Sequence, residues 1–497
     1  MIHKKPSALI ILDGFGYNPC NDYNPINSET MPHYFQFLEK YPHTLLNASG
    51  AAVGLLEGMA GNSLVGHLTI GSGRIMEQPI SFFHRAIHNG ELAHNKVLVK
   101  RLRELCGTNK RLHLMGLLSD GASHSHEELL YELMRIAHKE GVKQIIVHPF
   151  LDGRDAPPRS AATYLAHLNQ VCAEVGAVIG SIQGRSFAMD RTNNYEVIQK
   201  AFQALTTPTP VYTGGWHQLI SAYYEKNITD EFIPPTALVP ESYIQDGDGL
   251  IFFNIRADRA RMLTMMFLEA KHPQLAWFIT SIPYHPQFST DVLYKSQPLF
   301  DTLPDVLRAH HKSSCYVAES EKYAHVTYFF NGGKEITNPH DMYVVVPSPP
   351  PAEFEKTPQL AAYDITSMTL CSLQSNPRDF YLINYANADI VGHTGNLSAT
   401  KEALFDLDLE LVKVINYIVG MGGTIYLTSD HGKAELMFDQ VTQQPFTRHT
   451  VNSVPFIVIN RDIPSSYKIP LCQLSDIAPF ILNNMHLPIP KAMKKRA

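Results

Sequence analysis

Short, largely apolar runs, rich in Ile, Val, Phe and Tyr and each about the length of one strand, recur along the chain: Ala8–Leu12, Leu112–Leu118, Gln144–Val147, Ala177–Ile182, Leu250–Ile255, Trp277–Ile282, Met342–Val346, Phe380–Tyr385, Thr424–Leu427 and Val454–Ile459. Successive side chains of a strand point to opposite faces, so such a run predicts a strand covered on both sides. Segments of helical period lie between many of them: His126–Lys139, Ser160–Val175, Asn194–Leu205, Lys401–Val419 and Leu474–Asn484, the last with Ser475 or Asp476 as its cap. This alternation predicts α/β layers around largely parallel sheets. Ligands of such sheets gather at the carboxyl ends of strands. Asp13, Ser119-Asp120, Asp152, Asp389 and Asp430-His431 all fall at or just past a predicted strand end. Proline-rich stretches at 283–304 and 348–358 punctuate the C-terminal half, and the first reads as a linker.

Composition narrows the class. A length of 497 residues exceeds one ordinary core. With 44% hydrophobic and 18% charged residues the chain reads as globular throughout. A net charge of −6 argues against general binding to nucleic acid or anionic membrane, so any anion must meet a local basic cluster. The Lys491, Lys494, Lys495, Arg496 run reads as a solvated tail. Six cysteines without a C-x-x-C pair suit neither a disulfide framework nor a thiolate metal site. The N-terminal apolar run is too short for a signal segment, and no run reaches membrane-spanning length. A soluble, cytoplasmic protein, working as a monomer on a small molecule, is expected.

Four separated places supply the oxygen and imidazole donors of a divalent metal: Asp13, the pair Asp389 and His393, the pair Asp430 and His431, and His449. Two neighbouring ions polarise a phosphoryl group and lower the pKa of a bound alcohol together. Ser63, in Gly61-Asn-Ser-Leu-Val-Gly-His67, stands in a glycine-bounded turn before a helix-like stretch, where backbone N–H groups face a phosphate. No Ser-His-Asp spacing selects an acyl hydrolase. A cationic set, Arg154, Arg185, Arg191, Arg256, Arg259 and Lys322, suits phosphate and carboxylate. Arg256 and Arg259, three apart, are expected on one face of a helical turn after a strand.

With these motifs in order along nearly the whole chain, the sequence resembles the cofactor-independent phosphoglycerate mutases of the alkaline-phosphatase superfamily. The resemblance rests on Ile11-Leu-Asp-Gly-Phe-Gly16, the Ser63 segment, Leu117-Leu-Ser-Asp-Gly121 with His124-Ser-His126, and Leu151-Asp-Gly-Arg-Asp155. It extends through Ala188-Met-Asp-Arg191, Glu319–Thr327, Val391-Gly-His-Thr-Gly395 and Ser429-Asp-His-Gly432. It implies an alkaline-phosphatase-like α/β domain split in sequence, 1–77 with 298–497, and an inserted α/β transferase domain, 78–297. It also implies one metal on Asp13, Ser63, Asp430 and His431 and another on Asp389, His393 and His449, usually manganese, with magnesium or another divalent ion as alternatives and no 2,3-bisphosphoglycerate. Ser63 would carry the phosphoryl group, Asp155 would move protons, and Lys322 would neutralise phosphoryl oxygens. His124, Arg154, Arg185, Arg191, Arg256 and Arg259 would bind glycerate or phosphate. Ala60, Leu64, Ser186-Phe187 and Lys433 depart from the usual pattern. A phosphomonoesterase or phosphopentomutase of the same superfamily is the alternative enzyme, and a catalytically dead binding protein the alternative class.

Overall fold

The computed structural model describes residues 4–20, 22–190, 194–295, 299–335, 338–441 and 443–494. Its strands in the first half are β1 (Ser7–Leu12), β2 (His43–Leu46), β3 (Leu112–Leu118), β4 (Ile145–Leu151), β5 (Val178–Ile179), β6 (Ser181–Gly184), β7 (Thr236–Ala237) and β8 (Gly249–Phe252). Then follow β9 (Trp277–Thr280), β10 (Asp291–Val292), β11 (Ser314–Glu319), β12 (Met342–Val346), β13 (Phe380–Tyr385), β14 (Thr424–Thr428), β15 (Phe438–Asp439), β16 (Gln444–Pro445) and β17 (Val454–Ile459). The chain divides into two compact units, Met1–Glu77 with Gln297–Ala497, and Gln78–Ser296.

The first unit is built on a sheet of order β12-β11-β13-β1-β14-β17-β2. From β12 to β14 every pairing is parallel, while β17 runs antiparallel to both β14 and β2. Central β1 is buried from Ala8 to Leu12, as its apolar run requires. Helix Leu397–Gly420 lays Leu404, Leu407, Leu411, Val414, Ile415 and Ile418 into the same core as Ala8, Ile10 and Leu12, a spacing of three and four that makes one apolar stripe. The second unit has the order β10-β9-β8-β3-β4-β6-β7, with β5 beside β4. All its pairings are parallel except β6 with β7. Mixed α/β layers are thus the observed fold.

Some boundaries differ from expectation, each for a local reason. The Ala177–Ile182 run is cut at Gly180, whose N–H reaches Val147 O at 2.9 Å and whose added Cβ would lie 2.6 Å from Ile146 Cγ2. Helix Leu397–Gly420 begins before Lys401 because the Asn396 side chain accepts from Ala399 N–H at 3.1 Å. Asp476, not Ser475, occupies the cap position of the last helix, without a side-chain hydrogen bond to it. A 3₁₀ turn, Leu474–Asp476, opens with Gln473 as its cap and Asp476 as the returning carboxylate, and the helix Ile477–Asn484 follows. Arg256 and Arg259 share no helical turn, because they precede the helix Arg261–Glu269 in an irregular bend. No helix among the described residues is long and apolar enough to cross a membrane.

Candidate active site

Three parallel strands of the first unit deliver its acidic groups to one end of the sheet. Asp13 follows β1 directly, Asp430-His431 follow β14, and Asp389 sits in the short helix Asn387–Gly392 after β13. Gly14, at φ +73°, makes the turn that lets these segments touch: a Cβ there would lie 2.7 Å from Asp389 Cβ. Ser63 is the first residue of helix Ser63–Ser72, which the Asn62 side chain caps by accepting from Val65 N–H at 3.1 Å. It therefore lies in a turn whose N–H groups lack helical partners, a setting that attracts anions.

The Ser63 hydroxyl donates to Asp13 Oδ1 at 3.1 Å, lies 3.1 Å from His431 Nε2, and accepts from Lys322 Nζ at 2.8 Å. Lys322 Nζ also donates to Asp13 Oδ1 and Asp389 Oδ2, both at 2.6 Å. One ammonium so joins both acidic groups to the hydroxyl, and all of these side chains are buried. Burial alone would raise the Asp13 carboxyl, but Lys322 and His431 hold it well below the usual carboxylate range. Burial likewise opposes, and the Lys322 ammonium chiefly outweighs it, at Asp389, which is also well below that range. Burial would lower Lys322; Asp13, Asp389 and Asp430 raise it instead. Against its own burial, His431 is raised to about 9, chiefly by Asp430 and Asp13.

His393 and His449 are oriented by backbone carbonyls. His393 Nδ1 lies 2.8 Å from Thr447 O, and His449 Nδ1 lies 2.8 Å from Gly61 O. Carbonyls only accept, so each Nδ1 carries the proton and each Nε2 offers a lone pair. The two Nε2 atoms are 2.9 Å apart and stand 3.2 and 3.3 Å from Asp389 Oδ1, yet that oxygen receives no hydrogen bond of acceptable geometry. Asp430 Oδ2 is buried and equally unsatisfied. Asp13, Asp430 and His431 form one group with ligand atoms within 4.8 Å of one another, and Asp389, His393 and His449 form a second. Unsatisfied buried carboxylate oxygens and converging imidazole lone pairs fit divalent cations of the oxygen- and nitrogen-preferring kind.

In the second unit, the expected glycerate-handling residues stand at the carboxyl ends of neighbouring strands β6, β4, β3 and β8. Arg185 is fully buried, with Nη1 2.6 Å from Asp152 Oδ1 and 2.7 Å from Asp155 Oδ2, while its Nε has no partner. Asp152 is held in turn by the Ser119 hydroxyl at 2.6 Å. His124 Nδ1 stands 3.8 Å from Asp258 Oδ1, which Arg256 Nε meets at 3.0 Å. Arg259 donates to Met189 O at 3.2 Å, and half-exposed Arg154 lies 3.6 Å from Glu231. Arg191 lies outside the described residues.

Sequence reasoning missed two polar groups of the first cluster. Asn384 Nδ2 donates to Asp13 Oδ2 at 2.8 Å and stands 3.1 Å from His67 Nε2. Its signal was available, as a lone amide inside the otherwise apolar and tyrosine-flanked β13 run. Buried Glu435 accepts from Gly16 N–H at 3.0 Å, Lys433 N–H at 2.8 Å and Asn452 Nδ2 at 3.0 Å, and from the Thr450 hydroxyl. It ties the loop after Asp430-His431 to the loop after Asp13. Lys433, one of the departures from the usual pattern, sends Nζ to Phe446 O at 3.1 Å, and burial lowers its pKa to about 8 despite Asp389 and Glu435.

A hydroxyl buried among carboxylates, imidazoles and one ammonium, at the strand ends of an α/β sheet, defines a phosphoryl-transfer type of site. The comparisons agree. The family described as BPG-independent PGAM N-terminus matches residues 83–292. A 2,3-bisphosphoglycerate-independent phosphoglycerate mutase of Legionella pneumophila strain Philadelphia 1 is 39% identical over 100% of this chain and 98% of its own length. One from Clostridium beijerinckii is 40% identical over 99% and 98%. The chain belongs to the 2,3-bisphosphoglycerate-independent phosphoglycerate mutase family. A crystal structure of Leishmania mexicana phosphoglycerate mutase at low cobalt concentration superposes with a TM-score of 0.79 at 27% identity, covering 99% of this chain and 97% of that one.

Proposed function

We propose that this chain interconverts 3-phosphoglycerate and 2-phosphoglycerate through a phosphoserine on Ser63, without 2,3-bisphosphoglycerate. The observation that carries the mechanism is the Ser63 hydroxyl, bonded at once to Asp13 and to Lys322 and in reach of His431. Asp13, Ser63, Asp430 and His431 would hold one divalent ion, and Asp389, His393 and His449 the other, manganese being our assignment for both. Bound ions would polarise the phosphoryl oxygens and lower the pKa of the serine hydroxyl.

Ser63 Oγ attacks phosphorus as the bond from phosphorus to the 3-oxygen of the substrate breaks, with Asp13 Oδ1 the acceptor toward which the hydroxyl hydrogen points. Lys322 offsets charge on the transferring group. The departing 3-oxygen takes a proton, and the 2-hydroxyl later gives one up before attacking the phosphoserine. Asp155, fixed by Arg185, suits both roles, because a carboxyl that has lost its proton in one half can accept one in the other. His124, Arg154, Arg185, Arg191, Arg256 and Arg259 retain the glycerate between the halves. We place the enzyme in the cytoplasm as a monomer, a setting that suits its six unpaired cysteines.

The test is isomerisation of 3-phosphoglycerate by metal-loaded protein with no bisphosphoglycerate added, read together with released inorganic phosphate. Ser63→Ala is expected to abolish turnover, with substrate-derived phosphate trapped on Ser63 in the wild type. Asp155→Asn is expected to lower isomerisation by about 10²–10⁴-fold while leaving metal content unchanged. Phosphate release as the main product of the wild type would make the chain a phosphomonoesterase instead.

A further inference from the structure

Histidines four apart on an α-helix face the same way, and a carboxylate from a neighbouring helix completes a three-ligand chelate. The second unit contains that arrangement. Helix Pro79–His88 carries His84 and His88, whose rings stack with centroids 4.1 Å apart at 29°. Glu128 stands in the first turn of helix Glu127–Lys139. One ligand atom from each of the three lies within 4.8 Å of the others.

The orientation of His88 is set as a ligand's is. His88 Nδ1 lies 2.8 Å from the backbone oxygen of His84, an acceptor only, so Nδ1 carries the proton and Nε2 presents its lone pair. His88 is exposed and the other two are half-buried, so an ion has access from solvent and a water can fill the remaining position. A carboxylate in the first turn of a helix also gains from the helix dipole, which is the purely structural account of Glu128. That account explains neither the convergence of two imidazoles on it nor the ring tautomer.

We propose that His84, His88 and Glu128 form a binding site for a borderline divalent transition ion such as zinc, separate in its residues from both Asp/His groups of the first unit. Two imidazoles and one carboxylate without thiolate favour zinc, nickel or copper over magnesium or calcium. The ion would tie the first helix of the second unit to the helix whose cap, His126, follows His124 by two residues. This inference does not depend on the mutase mechanism.

The experiment uses the full-length, manganese-loaded protein dialysed against buffered zinc, with bound zinc counted by atomic absorption in the wild type and in a His84→Ala/His88→Ala variant. Zinc that displaces manganese from the first unit is common to both proteins, so the difference isolates the new site. The variant is expected to bind one equivalent less, with isomerisation in manganese alone unchanged. His88→Asn, the mildest change at the most exposed ligand, removes a direct ligand and is expected to weaken that equivalent by more than the about 10–100-fold that losing an outer-shell partner costs. Carbethoxylation of the wild type supplies a second reading, in which zinc protects His84 and His88. Equal zinc content in wild type and variant, or equal reactivity of His84 and His88 with and without zinc, overturns the site.

Discussion

Gly66→Ala tests whether the placement of Ser63 depends on close backbone approach. Gly66 is buried in the helix that begins at Ser63, and a Cβ there would lie 2.5 Å from Asp430 O and 2.7 Å from Asp430 Cβ. Ordinary contact begins at 3.4 Å, so helix and loop must separate by about 0.9 Å, and neither partner is the free end of a flexible side chain. Overpacking of this kind costs about 1–3 kcal/mol, which leaves the fold intact. Function is far more sensitive, because Ser63 is three residues away on the same helix and Asp430 is one of the groups it must meet. A displacement near 1 Å at a reacting group costs about 10²-fold. Isomerisation by Gly66→Ala is therefore expected to fall about 100-fold, with circular dichroism unchanged. Gly420→Ala is the control, since an added Cβ there meets nothing within 4 Å. A Gly66→Ala enzyme with the wild-type rate would show that the Ser63 helix adjusts freely and that its approach to Asp430 is irrelevant to catalysis.

Lys322→Gln leaves Asp13 and Asp389 without their shared cation, and in metal-free protein it is expected to destabilise the first unit by about 3–5 kcal/mol in urea unfolding; divalent ions should restore part of that loss. Metal uptake should tighten as pH rises toward 9, because His431, raised to about 9, must lose a proton to become a ligand; affinity independent of pH between about 6 and 8 would remove His431 from the ligand set. His113 and His148, stacked and 2.9 Å apart through Nδ1 and Nε2, are both lowered mainly by burial. Unfolded imidazoles take up protons near the ordinary value of about 6.5 while these stay neutral, so their contribution to stability is complete above that pH and is lost as pH falls below it. His148→Gln should shrink the loss of urea resistance between about pH 7.5 and about pH 5.5, and an undiminished loss would locate the acid sensitivity elsewhere.

How much of this was legible in the sequence follows from what each element depends on. β1, β3, β13 and β17 are buried on both faces, so burial writes itself as a largely apolar run. β11 escaped notice because Ser314-Cys-Tyr-Val-Ala-Glu319 is bounded by polar residues, although every one of them is buried. Asp13, Asp389 and Asp430-His431 were readable because strand ends are where an α/β sheet places chemistry. The bend that separates Arg256 from Arg259 was not, since the N–H of Ala260 turns back to Ala257 O at 3.0 Å before the helix starts. Nor was the pairing of Arg185 with two carboxylates, which depends on β4 and β6 lying side by side. His84, His88 and Glu128 were equally hidden, because residues 89–126, with another helix and a strand, lie between the two helices.

The charge arrangement of the first unit explains why its acidic groups and Lys322 occur together. Asp13, Asp389 and Asp430 contribute three buried carboxylates, while Lys322 and, near neutral pH, protonated His431 return two positive charges. Such a cluster is still net negative, and a phosphate ester approaching Ser63 would meet repulsion in a medium that screens it poorly. The two divalent ions we propose on the Asp/His groups would reverse that sign, and they would also satisfy the Asp389 and Asp430 oxygens that have no hydrogen-bond donor. Lys322 cannot do this alone: its ammonium is already committed to Asp13, Asp389 and Ser63, at 2.6, 2.6 and 2.8 Å. Its position instead gathers the hydroxyl and both carboxylates around one ammonium. On the proposed mechanism cation binding would be the condition for anion binding, and the serine proposed to receive the phosphoryl group is held by the same lysine that joins the carboxylates.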